Sequence, residues 1–148
     1  MSEAASIRLR GMTADDVPHC LPLLAQLGYE MRMEELAPRM REVLSTPGHA
    51  VLVAEIAGQA AGLMHVFVRP AIENPREAVV QSIVVDRAHR RSGAGRALMT
   101  AAERWGHQRG CRSVVLSSNV TRTPAHAFYA ALGYRIAATS YVFRKPLG

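Results

Sequence analysis

The sequence predicts an α/β protein: one domain in which helices cover both sides of a mixed β-sheet. Three observations support this. Stretches rich in β-branched residues fill the middle of the chain, amphipathic helical stretches flank them, and no linker or repeat interrupts the 148 residues. A chain of this length fits one compact domain, so we treat residues 1–148 as a single unit. The predicted order of elements is β-α-α-β-β-β-α-β-α-β-β.

The N-terminal third predicts one strand and two helices. Ile7 and Leu9 alternate with arginines, which is typical of a short half-buried strand. Thr13 is a suitable N-cap, and apolar residues then recur at helical spacing as far as Gly28. A second helix is predicted over residues 33–44. Each helix contains a proline that predicts a kink or a later start: Pro22 and Pro38.

The middle of the chain predicts three strands. Residues 49–56 and 60–68 flank a short connection at Gly58, which indicates a β-hairpin. Residues 78–85 are rich in valine and isoleucine and apolar on both faces, as expected of a central strand. The loop 70–77 between them contains two prolines, and we expect it to be exposed.

The C-terminal part returns to helical spacing. From Gly93 apolar residues recur on one face until Gly110, and a short apolar strand over 113–116 follows. Thr123 is predicted as the N-cap of a last helix that ends at Gly133, with a proline at its first position. Two final strands complete the prediction: 134–138 and 140–144.

The composition excludes several classes of protein. The two cysteines, Cys20 and Cys111, are far apart and lack Cys-x-x-Cys spacing, which argues against a disulfide framework and a structural zinc site. The six histidines show no ligand spacing, so no metal is predicted. No apolar run is long enough to span a bilayer, and the N-terminus lacks the apolar centre of a signal peptide. We therefore expect a soluble cytoplasmic protein.

Arginine dominates the charge. The chain carries 17 arginines and one lysine against 12 acidic residues, a net charge of +6. Such an excess indicates an anionic partner, either nucleic acid or a small polyanionic ligand. Arginine suits phosphate because its planar guanidinium donates two parallel hydrogen bonds. Seven arginines fall within 26 residues: Arg87, Arg90, Arg91, Arg96, Arg104, Arg109 and Arg112.

The most informative segment follows the central strand. The strand ends at Val85, and after a short loop a helix begins at Gly93 and Gly95. Backbone N–H groups at a helix start are unpaired, and glycine lets a phosphate approach them closely. We therefore predict a pyrophosphate-binding segment, here called the cradle: Arg90, Arg91, Ser92, Gly93, Ala94, Gly95 and Arg96.

Two other phosphate motifs do not fit the cradle. The P-loop requires a lysine after its second glycine, and the one lysine of this chain is Lys145. The dinucleotide fingerprint requires a third glycine where Leu98 stands. The spacing Arg90-x-x-Gly93-x-Gly95 instead resembles the acetyl-CoA signature of the GNAT superfamily of N-acetyltransferases. The downstream motif of that family is also present: Asn119, Ala125, Phe128, Tyr129, Leu132, Gly133 and Tyr134.

This resemblance covers most of the chain and implies a GNAT-like fold with acetyl-CoA as co-substrate. It implies that the pantetheine arm pairs with the backbone of Ile83, Val84 and Val85, and that an N–H near Val85 binds the thioester oxygen. Asn119 resembles a residue that bonds the pantetheine arm. We also expect Arg122 and His126 near the cofactor opening, where they could meet phosphate or a carboxylate.

The implied reaction is transfer of an acetyl group to a primary amine of a small molecule, amino acid or peptide by direct attack. Tyr129 matches the position of the general acid, because a phenol remains protonated at neutral pH and can donate to the leaving thiolate. The alternative is that Tyr129 packs beside Phe128. The first two helices, the loop 70–77 and the last hairpin are implied to contact the acceptor.

The general base stays unassigned. Many relatives carry a glutamate on the fourth strand, where this chain offers Val79, Gln81 and Ser82. Deprotonation through ordered water, or before binding, is then an alternative. The nearest carboxylates lie at the strand edge and on the segment expected to wall the acceptor pocket: Glu77, Glu30, Glu34 and Glu35.

Two other functions remain open on the sequence. A chain with the cradle but without a base could be a non-catalytic acyl-CoA sensor. The charge of +6 also fits a basic nucleic-acid-binding domain, although no helix-turn-helix, zinc-finger or RNA-binding signature is present and aromatic residues are sparse. The resemblance further implies a possible homodimer through the final hairpin, and we expect no membrane partner.

Overall fold

The computed structural model describes residues 6–148. Residues up to Ser117 form one compact unit, and residues from Ser118 onward form a second. The elements are β1 (Ile7–Gly11), α1 (Val17–Leu27), α2 (Met33–Ser45), β2 (His49–Ile56), β3 (Gln59–Arg69), β4 (Glu77–Val85), α3 (Ala94–Gln108), β5 (Ser113–Val115) and α4 (Thr123–Ala131). Short 3₁₀ turns precede α1 and α3, at Ala14–Asp16 and Arg87–His89.

The first unit contains the predicted mixed sheet. Its strands lie in the order β1-β2-β3-β4-β5; β4 and β5 are parallel and the other pairs are antiparallel. The β2–β3 hairpin turns at Ala57 and Gly58, whose φ angles of 51° and 77° are both positive. Two such residues form the tight turn whose twist matches that of the flanking strands. The mixed α/β fold class is confirmed.

Helices cover the two faces of this sheet. Buried residues of α1 and α2, such as Leu23 and Leu36, join Val53 and Leu63 of the sheet in one core cluster. On the other face, α3 lies so close to β4 that a Cβ on Gly106 would stand 2.8 Å from the Cβ of Ala78. This contact fixes the distance between α3 and the strand that precedes the cradle.

A partly buried ion pair ties β1 to the first turn. Asp16 is the one charged residue buried among those the structure describes, and both its oxygens accept from the Arg10 guanidinium at 2.7 and 2.8 Å. Arg10 also donates to Glu55 of β2 at 2.8 Å. The hydrogen bond from Arg10 holds the pKa of Asp16 well below its usual range, against the opposing effect of burial.

The structure changes two details of the predicted elements. α1 begins at Val17, later than an N-cap at Thr13 predicts, whereas α2 begins at Met33 as predicted; Pro22 and Pro38 lie inside these helices. The N-cap of α4 is Arg122, and Thr123 is already helical. The five strands of the sheet follow their predicted positions to within two residues.

The two final strands predicted at 134–138 and 140–144 are not formed. No residue from 134 to 148 lies in a helix or strand. A strand requires a neighbour to pair its backbone, and within residues 6–148 no strand pairs with this segment. Its apolar side chains are exposed instead: Ile136, Tyr141, Val142, Phe143 and Leu147 are 82–93% accessible.

Among residues 6–148, no helix combines the length and the apolar character needed to cross a lipid bilayer.

Candidate functional site

The cradle lies between the end of β4 and the start of α3, in the first unit. Gly93, the N-cap of α3, has a φ of +91°, and Arg91 has a φ of +66°. A non-glycine residue rarely adopts this left-handed region, so the turn at Arg91 stores backbone strain of the kind found at binding sites. These two positions turn the chain from the loop into the helix.

The first amides of α3 are available to a ligand. The Ala94 N–H donates to Ser92 Oγ at 3.2 Å, and the first helical bond joins the Ala97 N–H to the Gly93 carbonyl at 3.0 Å. The N–H groups of Gly95 and Arg96 have no acceptor in the part of the chain that the structure describes. Unpaired amides at a helix start bind anions, because they donate hydrogen bonds at the positive end of the helix dipole.

Three arginines lie next to these amides in the chain. Arg90, Arg91 and Arg96 are exposed, and none of them forms an ion pair with a described residue. An unpaired guanidinium can bind phosphate with two parallel hydrogen bonds and loses no internal partner by doing so. The cradle thus combines free amides with three free positive charges, as a pyrophosphate requires.

Gln26 of α1 fixes the loop before the cradle, a role that the sequence did not predict. Its Oε1 accepts from the Arg87 N–H at 2.9 Å, and its Nε2 donates to Asp86 Oδ1 at 3.4 Å. Asp86 also accepts from the Ala88 N–H at 3.0 Å. This hydrogen bond from the Ala88 N–H lowers the pKa of Asp86. No sequence signal marks Gln26, because it lies 60 residues from Asp86 on a helix whose pattern is explained by packing.

β4 has an open edge just before the cradle. β5 pairs with β4 only over Glu77–Val79, so the residues after Val79 have no partner on that side among the described strands. On the opposite side β4 stays paired with β3 as far as Val85. Ile83 and Val85 are half-buried and Val84 is buried. The strand end 83–85 therefore has backbone groups free for an extended ligand.

A β-bulge interrupts β4 at the same place. His65 of β3 pairs with Ser82, and the next residue, Val66, pairs with Val80. Gln81 is therefore the extra residue on β4. A bulge bends its strand and increases the local twist, and bulges often stand next to active sites. The bulge lies where the pairing with β5 has already ended.

The other predicted site residues lie in the second unit. Asn119 Oδ1 accepts from the Thr121 N–H and Oγ1 at 3.0 and 2.8 Å, which forms a turn before α4. The His126 ring lies with its Nε2 2.9 Å from the Asn119 carbonyl oxygen. The carboxamide oxygen of Asn119 is thus used locally, and its NH₂ group has no acceptor among the described residues.

Tyr129 lies in α4 and is half-buried. Its ring is 5.2 Å from that of Phe128 and 6.2 Å from that of Tyr134, both edge-on. Tyr129 therefore packs beside Phe128, and part of its side chain remains accessible to solvent. Burial raises the pKa of Tyr129 above its usual value, and the charge of Arg122 opposes this rise. The phenol is protonated at neutral pH and can donate.

The predicted residues thus form two groups: residues 83–96 in the first unit, and Asn119, His126 and Tyr129 in the second. The first group combines the free amides, the unpaired guanidinium groups and the open strand edge within 14 residues. This arrangement fits an extended ligand that carries a pyrophosphate at one end.

Comparison with known proteins agrees with this interpretation. The sequence model of the acetyltransferase (GNAT) family matches residues 18–134. An aminoglycoside N(6′)-acetyltransferase type 1 of Klebsiella aerogenes is 28% identical over 116 residues, which is 76% of each chain.

Solved structures share the fold. The aminoglycoside N-acetyltransferase AAC(6′)-Iy in complex with CoA is 21% identical, with a TM-score of 0.87 over 98% of each chain. The same enzyme with the bisubstrate analogue CoA-S-monomethyl-acetylneamine has a TM-score of 0.85 at 22% identity, over 96% of this chain and 99% of that one.

Proposed function

This chain belongs to the GNAT family of acetyltransferases, and from that premise we propose that it moves the acetyl group of acetyl-CoA to a primary amine of a small molecule. It is an acetyl-CoA-dependent N-acetyltransferase, and the amine attacks the thioester directly. The cradle binds the pyrophosphate, and the strand end 83–85 pairs with the pantetheine arm. We propose Tyr129 as the general acid.

One observation carries this proposal: the free amides of the cradle directly follow an open strand edge. The amides of Gly95 and Arg96 are unpaired, and β4 lacks a β5 partner after Val79. Free amides bind an anion, and a free strand edge binds an extended amide-bearing chain by backbone hydrogen bonds. CoA contains both parts in that order: a pyrophosphate and a pantetheine arm with two amides.

The chain supplies two catalytic effects in this proposal. A backbone N–H near Val85 donates to the thioester oxygen as it becomes negative, and one such donor lowers the barrier by about 3 kcal/mol. The phenol of Tyr129 gives its proton to the departing thiolate. Its raised pKa, due to burial, keeps it protonated at neutral pH. Asn119 and His126 belong to the cofactor site by resemblance to the family.

We propose a positively charged small-molecule amine as the acceptor. Exposed carboxylates lie in the connection between α1 and α2, at Glu30, and in the first turn of α2, at Glu34, and neither forms an ion pair with a described residue. Glu35 is held by Arg32 and Arg39. Free carboxylates at an acceptor site attract a polyamine. Relatives named for aminoglycosides support the choice of amino sugars as the first acceptors to test.

Two measurements on the purified chain test the proposal. Titration calorimetry with acetyl-CoA reports binding, and release of free thiol reports turnover with amino sugars, free amino acids and short peptides. We expect saturable binding and turnover with an amino sugar. Binding without turnover on any amine would identify an acyl-CoA sensor, and absence of binding would refute the proposal.

We also propose that the chain acts as one domain and pairs into a homodimer through residues 134–148. The exposed side chains of Ile136, Tyr141 and Phe143 support this, because burial of each contributes about 2 kcal/mol. Phe143→Glu is expected to convert a dimer to a monomer in size-exclusion chromatography with light scattering. A wild-type protein that is monomeric at micromolar concentration would refute the dimer. The cytoplasmic location stays a prediction.

A further inference from the structure

Two histidines on neighbouring strands hydrogen-bond to each other. His49 opens β2 and His65 lies in β3, and the His49 Nδ1 is 2.9 Å from the His65 Nε2. Phe67 stacks on the His49 ring with centroids 4.9 Å apart and planes 11° apart, which fixes the plane of that ring. Both histidines are half-buried. The contact holds a single hydrogen between the two nitrogens.

This pair stands beside the open edge of β4. His65 pairs directly with Ser82, which lies between the bulged residue Gln81 and the strand end 83–85. Side chains of directly paired residues point to the same face of the sheet and lie about 5 Å apart at their Cβ atoms. His65 is therefore on the strand next to the one proposed to hold the thioester, and His49 lies one strand further away.

His65 also lies on the face of the sheet that α1, α2 and their connection cover. Leu63 precedes His65 by two residues, so both side chains point to the same face. Leu63 belongs to the core cluster under α1 and α2, against which Met31 of the α1–α2 connection and Met33 of α2 pack. The segment proposed to contact the acceptor therefore packs on the face of the sheet that carries His65.

The protonation state suits a base. Burial lowers the pKa of His65, and the charge of His49 lowers it further. Among the described residues no carboxylate or guanidinium hydrogen-bonds or ion-pairs with either ring, and His49 is the titratable group that lowers the pKa of His65. His65 is therefore neutral at pH 7. When its Nε2 donates to His49, its lone pair is on Nδ1 and can accept a proton.

We propose that His65 is the general base that takes the proton of the attacking ammonium, and that His49 passes this proton to solvent. The inference rests on the proposed acetyltransferase function. β4 offers no carboxylate at Val79, Gln81 or Ser82 to act as the general base, and His65 takes that role. His65 is the catalytic residue, and His49 is a positioning residue that acts through it.

Two protons leave the nitrogen as the amine attacks the thioester. The ammonium gives one proton to His65 Nδ1, His65 Nε2–H moves to His49 Nδ1, and His49 Nε2–H leaves to water. The amine lone pair forms the C–N bond and the C–S bond breaks. The thiolate takes the proton of Tyr129, and the second proton from the nitrogen returns to the Tyr129 oxygen through solvent. The products are the amide, free CoA and one proton.

His65→Gln tests the base, with His107→Gln as a matched control. His107 is exposed in the last turn of α3, outside the proposed site. With neamine, or the fastest amine of the panel, kcat/KM at pH 7 is expected to fall about 100-fold in H65Q and to stay unchanged in H107Q. The affinity of both variants for acetyl-CoA is expected to equal that of the wild type.

The pH profile separates a base from a structural role. Without a base the reaction needs the free amine, so kcat/KM of H65Q is expected to rise about tenfold per pH unit between pH 7 and 9. The wild type is expected to stay nearly flat there. H49Q is expected to lose less than H65Q and to keep the flat profile.

Each outcome has a definite meaning. A loss in H65Q that does not change with pH, or turnover equal to that of H107Q, would overturn the inference. A wild type that binds acetyl-CoA but acetylates no amine would instead refute the proposed function. Should H65Q melt below the assay temperature, H65N is measured in its place with the same criteria.

Discussion

Replacing Gly93 by alanine tests the cradle with the smallest possible change. Gly93 has a φ of +91°, and an alanine Cβ there would meet only the Cδ1 of Ile7, at an ordinary 3.7 Å. The substitution is therefore free of a steric clash, and its cost is backbone strain of about 1–2 kcal/mol. In a chain of 148 residues, 1 kcal/mol lowers Tm by about 3 °C.

The same strain is expected to weaken acetyl-CoA binding. Relaxation of the strained backbone at residue 93 in the alanine variant reorients the first amides of α3. One lost hydrogen bond to a charged phosphate costs about 1.5–3 kcal/mol. The dissociation constant is then expected to rise about 10- to 100-fold in titration calorimetry.

Gly110, at the opposite end of α3, provides the matched control. Its φ is +75°, and an alanine Cβ there would meet only Arg76 Nη1 at 3.8 Å. The Tm of G110A is expected to fall by a similar amount, and its affinity for acetyl-CoA is expected to stay unchanged. Equal affinities of G93A and G110A would refute the cradle as the pyrophosphate site.

Two further predictions concern single side chains. Tyr129→Phe is expected to lower turnover about 100-fold in the thiol-release assay and to leave acetyl-CoA affinity unchanged, because it removes the phenolic hydroxyl and keeps the ring that packs; undiminished turnover would exclude Tyr129 as the acid. Asp16→Asn is expected to destabilise the chain at pH 7 in urea unfolding. Because Arg10 lowers the folded pKa of Asp16, the stability from this pair is present above the unfolded value near 4 and is lost as the pH falls below it. The difference between wild type and D16N should therefore shrink from pH 6 to pH 3, and a constant difference would contradict the assignment.

Local sequence patterns predicted most of the sheet and helices because packing and periodicity agree there. β2 has the predicted bounds, and the cradle lies at the predicted strand-to-helix junction. The predicted final hairpin was wrong because an alternation of apolar residues indicates a preference for the strand conformation. It does not indicate whether a partner strand is present. Phe143 lies in a stretch with the alternation of a strand, yet the residue is 92% exposed.

The rest of the site depends on contacts that no local pattern contains. His49 and His65 are 16 residues apart and meet only through the register of β2 and β3. The bulge at Gln81 is a shift in the register of β3 and β4 that the apolar run 78–85 conceals. Gln26 meets Asp86 across 60 residues. Each arises from the tertiary arrangement.

NMR titration of the ¹⁵N-labelled chain with acetyl-CoA tests the central claim most directly. We expect saturable shifts of the Gly93, Gly95 and Arg96 amides, together with those of the strand end 83–85. Saturable binding that leaves these amides unmoved while others shift would contradict the proposed position of the cofactor.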